Sequence, residues 1–263
     1  MKVFLFLIQA LSVNSNNKRV VLFLFIALWV SHTNAVGQDV MFALHYGNGK
    51  FKMDDMHQLV EENVKGMYDS LRVTPEILMD YPAVKTMGGY VGYRWKKNSL
   101  VVNWSYYSTG SRIDYADYSG RARVDRVLTA KPVLVTYRRA LFDPDKPYNL
   151  LVGLGFGKSV TINESNTYFD IYISEEEELY KQKWRSNQTF LQPEVRFQWF
   201  PIKIIFLELK AGYLLQIKST DQEFSKSKLT LPISKSLAHP GWAGMKVEAG
   251  IGIRVKLPYA NVE

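Results

Sequence analysis

Apolar and polar side chains alternate with a period of two along much of the chain beyond residue 39. This is the pattern of strands whose two faces meet unlike surroundings. The last such stretch is the cleanest. From Gly244 to Leu257, Met245, Val247, Ala249, Ile251, Ile253, Val255 and Leu257 share one face, and Gly244, Lys246, Glu248, Gly250, Gly252, Arg254 and Lys256 share the other. In Leu207–Lys218 the apolar set is Leu207, Leu209, Ala211, Tyr213, Leu215 and Ile217, with Leu214 as an exception on the polar face. Val195, Phe197 and Trp199 oppose Gln192, Glu194, Arg196 and Gln198. Met87, Val91, Tyr93 and Trp95 oppose Gly88, Tyr90, Gly92 and Arg94. Leu150, Val152, Leu154 and Phe156 oppose Leu151, Gly153, Gly155 and Gly157. Val40–Tyr46, Leu100–Ser108 and a stretch near Val124–Ala140 are less regular, which brings the total to eight predicted strands. Pro132 lies in the fourth and cannot donate to a ladder, so a bulge or weak pairing is expected there.

The gaps between strands alternate in length. Gly49–Val84, Thr109–Val124, Thr161–Ser186 and Ser219–Gly241 are long, whereas Trp95–Ser99, Phe142–Pro147 and Phe200–Ile204 are short. Long loops at one end and tight turns at the other are the layout of a membrane β-barrel. The expected fold is all-β: an eight-stranded antiparallel up-and-down transmembrane barrel with four long extracellular loops and short periplasmic turns. An even strand count puts both chain ends on the periplasmic side. A soluble, lipocalin-like periplasmic barrel is the alternative. It would need a cover for the outer stripes with Trp95, Phe197 and Trp199, and exposed apolar bands of that size are not tolerated in water.

The polar face carries both signs of charge. Arg94, Arg138, Arg196, Lys210, Lys246 and Arg254 stand with Glu194, Glu208 and Glu248 on the inward sets. Buried charges must be paired or solvated, and eight strands leave an interior just wide enough for side chains. The expectation is a lumen plugged by salt bridges and hydrogen bonds. A proton or ion path is the competing reading.

These features resemble the small eight-stranded bacterial outer-membrane barrels, the class of OmpX and the OmpA transmembrane domain. The stretch GGYVGYRWKKNSLVVNWSYYSTG has the form of a hairpin of this class, with a Gly/aromatic strand, a tight polar turn and an aromatic strand. The resemblance covers about Asp39–Leu257. It implies residence in the bacterial outer membrane, contact with its lipid and lipopolysaccharide, and passage through the barrel-insertion machinery. Many such barrels end in an aromatic residue; this chain ends LPYANVE.

The N-terminus predicts an export signal over residues 1–35, with the barrel domain in 36–263. Lys18 and Arg19 precede the apolar run Val20–Val30, and Thr33-Asn34-Ala35 is a small-residue cleavage site. An uncleaved anchor is the alternative, although the run is short for a spanning helix. A second apolar stretch, Val3–Val13, fits an over-extended start. The formal charge of +8 is mild for 263 residues, and no Lys/Arg stripe suggests nucleic acid. The absence of cysteine excludes disulfides and Cys–zinc sites.

Motifs for chemistry are few, and no metal or cofactor is expected. GLGFGKS (Gly153–Ser159) fails as a phosphate loop, because that motif needs four residues between its first Gly and the Gly-Lys pair. Of the histidines, His45 is expected in the lumen near the outer end of its strand, and His57 lies in the first loop beside Asp54 and Asp55. Together they could mimic a rim-site enzyme, but a non-enzymatic role is the favoured reading. Asp54–Leu71 places Met56, Leu59, Val60, Val64, Met67 and Leu71 at helical spacing, capped by Asp54 or Asp55. This segment reads as a lid on the barrel rim or as a docking surface. Glu175, Glu176, Glu177 and Glu178 in the third loop are candidate cation ligands bridging lipopolysaccharide phosphates. Arg112, Arg121 and Arg123 in the second are candidate direct phosphate contacts. Tyr107, Tyr115, Tyr118, Tyr168 and Tyr172 are candidates for an outer aromatic girdle or for strands rising above the membrane. The function this supports is structural or surface interaction, with an extracellular partner through the loops. The alternative is a narrow conduit, or a lateral route for a small apolar ligand near Pro132.

Overall fold

The computed structural model describes residues 38–143, 146–171, 176–226 and 241–257. The segment in which the export signal is expected, Glu175 and most of the fourth predicted loop therefore lie outside the described residues. The elements run β1 (Gln38–Phe51), α1 (Asp54–Leu71), β2 (Glu76–Asp80), β3 (Val84–Trp95), β4 (Asn98–Ala116), β5 (Gly120–Ala140), β6 (Tyr148–Ile171), β7 (Glu176–Trp199), β8 (Ile205–Lys226) and β9 (Gly244–Lys256). Each barrel strand pairs antiparallel with its sequence neighbours. β1 pairs with both β3 and β9, which closes a ring of eight. No strand edge remains in that ring, so every backbone ladder can be satisfied without water.

The two-residue alternation sorts as the sequence predicts. Outward positions such as Leu44, Val91, Leu154, Phe197, Leu209 and Ile251 are exposed, and the intervening positions are buried. Lys256, assigned to the inward set, is exposed at the strand end. The apolar residues thus form a belt around the outside, and the polar residues fill the inside. This inversion of a soluble core is what a hydrocarbon solvent selects.

Two prolines interrupt the ladders. Between β4 and β5 the pairing skips from Trp104↔Val133 to Tyr107↔Ala130. Between β7 and β8 it skips from Leu191↔Leu215 to Glu194↔Gly212. The register is unchanged across each skip. The outcome at Pro132 is weak pairing rather than a bulge, and Pro193 produces the same effect at a site the sequence reading passed over. True register shifts occur elsewhere, at Arg185/Asn187 and Thr189/Phe190.

The long-loop end differs from expectation. Most of the predicted loops Thr109–Val124 and Thr161–Ser186 is ladder. β4 and β5 stay paired up to Ala116↔Arg121, and β6 and β7 up to Ile171↔Glu176. Their apolar and polar residues alternate too loosely to reveal this, because neither face meets lipid there. The first loop does hold the predicted helix, α1. Its N-cap is Met53 without a side-chain bond, while Asp54 and Asp55 occupy the first turn, where carboxylates favour the helix dipole. Arg72 ends it in the left-handed region at φ 58°. Met56, Leu59, Val60 and Met67 are buried in one cluster with Phe51, Tyr107, Ile113, Leu128, Leu214 and Trp242. The helix therefore packs over the long-loop mouth on inward-facing residues of the wall. Leu214, the apparent exception in β8, belongs to this cluster.

Candidate functional site in the barrel lumen

Below the apolar cluster the interior is filled with charge. Arg138 on β5 donates from Nε to Glu194 Oε1 on β7 at 2.7 Å. Arg196 reaches the same oxygen from Nε at 2.9 Å and donates from Nη1 to Glu208 Oε1 at 2.8 Å. Asn103 Oδ1 accepts from both guanidinium groups, at 2.7 and 3.1 Å. Tyr90 lies under both cations, its ring centroid 4.3 Å from Arg138 Cζ and 4.8 Å from Arg196 Cζ. Its hydroxyl donates to Glu208 Oε2 at 3.1 Å, and Gln198 Nε2 donates to the same oxygen at 3.1 Å. His45 Nε2 stands 2.9 Å from Glu208 Oε1. Side chains from six strands thus converge on two carboxylates.

A second layer lies toward the helix. Glu248 pairs with Lys210 and, at 3.6 Å, with Lys246. Lys246 Nζ also donates to Tyr107 Oη at 2.7 Å. At the short-turn end Arg94 pairs with Asp39. Arg254 lies over the Phe200 ring at 4.3 Å and donates to the Lys203 carbonyl at 3.3 Å. All nine charged residues named from the sequence are buried. They fall into three levels, joined by Asp39, Tyr90, Asn103, Gln192 and Gln198, which sequence reasoning did not name as site residues, and by His45, which it placed in the lumen but weighed only for a rim site. Their parity in the strands was a usable signal.

Glycine makes the bridging possible. Gly153 lies on β6 between Arg138 and Glu194 in register. A Cβ there would stand 2.9 Å from Arg138 Cγ and 3.3 Å from Glu194 Cγ. Gly250 on β9 separates Glu208 from His45 in the same way, at 3.4 and 2.9 Å.

Other candidates are dispersed. His45 is engaged in the lumen by Glu208, while His57 on α1 bonds Asp80 Oδ2 at 2.7 Å on the surface. The proposed rim-site grouping of the two histidines is therefore not assembled. Arg112 and Arg123 both pair with Asp125, at 2.6 and 2.7 Å, and Arg121 pairs with Asp114 at 2.6 Å. These arginines sit on the extended hairpin, not in a loop. The side chains of Glu175, Glu176, Glu177 and Glu178 lie outside the described residues. Tyr107 is turned inward, and Tyr118 is fully exposed at the hairpin tip. Tyr115 and Tyr168 bond the nearby Asp117 and Asp170, at 2.8 and 3.2 Å. Tyr172 is not among the described residues.

A closed ladder with an apolar outer belt and a polar interior admits one solvent on the outside, hydrocarbon. The chain is an eight-stranded transmembrane β-barrel. No protein-family model matches the sequence, and no curated protein does. Among solved structures, the N-terminal β-barrel domain of Pseudomonas aeruginosa OprF is 10% identical. It aligns over 84% of this chain and 100% of its own, with a TM-score of 0.31. Ail of Yersinia pestis is 12% identical over 84% of this chain and 100% of its own, with a TM-score of 0.37. The outer-membrane protease OmpT of Escherichia coli is 9% identical over 84% and 97%, with a TM-score of 0.31. These neighbours are outer-membrane barrels of different roles, and the fold alone fixes none of them.

Proposed function

We propose that this barrel has a structural or surface-interaction role, with a lumen closed by its own side chains. The long-loop end then lies outside the cell and forms the working surface. The observation that supports this most is the layer of Arg138, Arg196, Glu194 and Glu208. It spans the interior from β5 to β8, and both carboxylates accept several hydrogen bonds. These bonds tie opposite walls together across the lumen, with Arg138 Nη1, His45 Nδ1, Gln192 Oε1 and Gln198 Oε1 the atoms of the layer left without a partner. The helix α1 covers the outer mouth above them. Outer-leaflet lipopolysaccharide is the expected neighbour of the belt, and the extended β4–β5 hairpin presents Tyr118 to a partner outside.

The test is conductance of the full barrel in planar bilayers. The parent should stay at background, and Glu208→Gln should open a measurable leak while keeping the heat-modifiable gel mobility of a folded barrel. Steady conductance by the parent would overturn the closed lumen.

A second reading, lateral access for a small apolar ligand, has one specific observation in its favour. Beside the ladder skip at Pro132 the outer face carries an open groove of about 540 Å³ lined by Leu44, Met87, Trp104, Tyr106, Lys131 and Val133, among others. Filling it with Val133→Trp should abolish uptake of an apolar probe if that reading holds, and leave uptake unchanged if it does not.

A further inference from the structure

Above the charged layers, in the part of the wall that extends past the membrane belt, one more cation is buried. Arg126 on β5 faces inward and is 3% exposed. Its Nε and Nη1 are enclosed and donate to nothing. Among the described side chains, the nearby acids of the neighbouring strands are engaged by other cations, Glu164 by Lys183 among them. Asp114 and Asp125, on the outward face of the same hairpin, hold Arg121, Arg112 and Arg123, and Asp80 holds His57. A guanidinium enclosed without an anion is among the costliest groups a fold can carry.

Its surroundings are built for hydrogen bonding. In register on either side stand Ser111 of β4 and Ser165 of β6, both buried. One inward position further along β6 is Asn163, 3% exposed, with both amide atoms unpartnered. The Tyr81 hydroxyl lies close to Ser111 and Arg126 yet forms no hydrogen bond of good geometry. The remaining walls, Val124, Leu128 and Ile113, are apolar. Arg126, Asn163 and Tyr81 thus bring a guanidinium, an amide and a hydroxyl to one region of the inner wall, each with polar atoms that bond to nothing among the described residues. A cation is excluded there by Arg126, and an apolar group would leave every donor unmet.

We propose that Arg126, Asn163 and Tyr81, flanked by Ser111 and Ser165, bind a single small oxyanion, a carboxylate or phosphate group entering from the long-loop side. Arg126 supplies the charge, and the neutral donors fix the oxygen positions. The site lies apart from the Glu194–Glu208 layer, so it stands whether or not the lumen below is closed.

The experiment uses the full barrel protein folded in detergent micelles. Its thermal midpoint is followed in sodium phosphate, sodium acetate and sodium chloride at equal ionic strength. Phosphate or acetate should raise the midpoint saturably over chloride, and the more effective of the two identifies which oxyanion the site takes. Arg126→Met should remove that response, and Asn163→Leu should weaken it at least tenfold in concentration. In chloride alone Arg126→Met should be no less stable than the parent, because it removes an unpaired charge. Should Arg126→Met fail to fold, Arg126→Lys, which offers one donor point in place of a planar fork, should bind at least tenfold more weakly. The proposal is overturned if neither oxyanion gives a saturable shift, if the shift survives in Arg126→Met or is unchanged in Arg126→Lys, or if Arg126→Met folds but is markedly destabilised in chloride.

Discussion

At Gly153 and Gly250 the absence of a side chain has a direct energetic consequence. Each lies on the strand between two residues that must meet, Arg138 with Glu194 and Glu208 with His45. Gly153→Val should push Arg138 and Glu194 apart and cost about 3–5 kcal/mol, the penalty of a broken buried pair. The urea midpoint of the folded barrel in lipid measures this. Gly212→Ala, whose Cβ would meet the Pro193 carbonyl oxygen at 3.2 Å and Glu194 Cβ at 3.4 Å, should cost less. The hairpin tip offers a second residue-scale test. Asp117 accepts from Ser119 Oγ, Tyr115 Oη and the Ser119 and Gly120 amides, and these bonds hold its carboxyl down to about 2. A depressed carboxyl stabilises the turn above the ordinary value of about 3.9 and loses that contribution as pH falls toward 2. The protection factors of the Ser119 and Gly120 amides, taken against the unstructured chain at the same pH, should therefore fall in that window. In Asp117→Ala, which has no accepting oxygen, they should already be low at neutral pH. The charge parity behind these sites is readable from alternation. The partners are not, because they depend on which strand lies across the lumen.

At the scale of elements, α1 and the paired extensions set the character of the outer end. The helix was legible as a segment, since its apolar residues recur at three- and four-residue steps whatever they touch. Its cap was not, because Asp54, Asp55 and Met53 are adjacent and only the backbone angles choose between them. What the helix covers could not be read either, because Phe51, Tyr107 and Trp242 come from distant parts of the chain. Leu59→Asp would bury a carboxylate in that cluster, so it should free the lid while sparing the barrel. Limited proteolysis should then cut between Phe51 and Val84 and leave the heat-modifiable mobility in place. If the lid remains protected, α1 is held by something other than its apolar face. Pro132 and Pro193 act alike on their ladders, each removing a donor. The two skips fall at the same two residues that any strand reading should flag.

For the molecule as a whole, the outer belt is the largest single statement of environment. Leu209 is 53% exposed in a belt strand. Leu209→Arg should destabilise the protein in bilayers by about 2–4 kcal/mol if it sits near the midplane, and by less toward either interface. A result near zero would remove Leu209 from the middle of the bilayer. The hydrophobic and polar sequence positions alone determined that the chain forms strands, which face of each is apolar, and where the tight turns of one end lie. Those are local properties, set by side-chain direction and turn chemistry. Only the tertiary structure decided how far the strands extend beyond the membrane, that the first connection folds back over the mouth, and which charges meet inside. Each depends on residues far apart in sequence being brought into register by closure of the barrel. The unpaired Arg126 follows the same logic: its sequence neighbours include the acid Asp125, and only the pleat, which turns one inward and the other outward, leaves it alone.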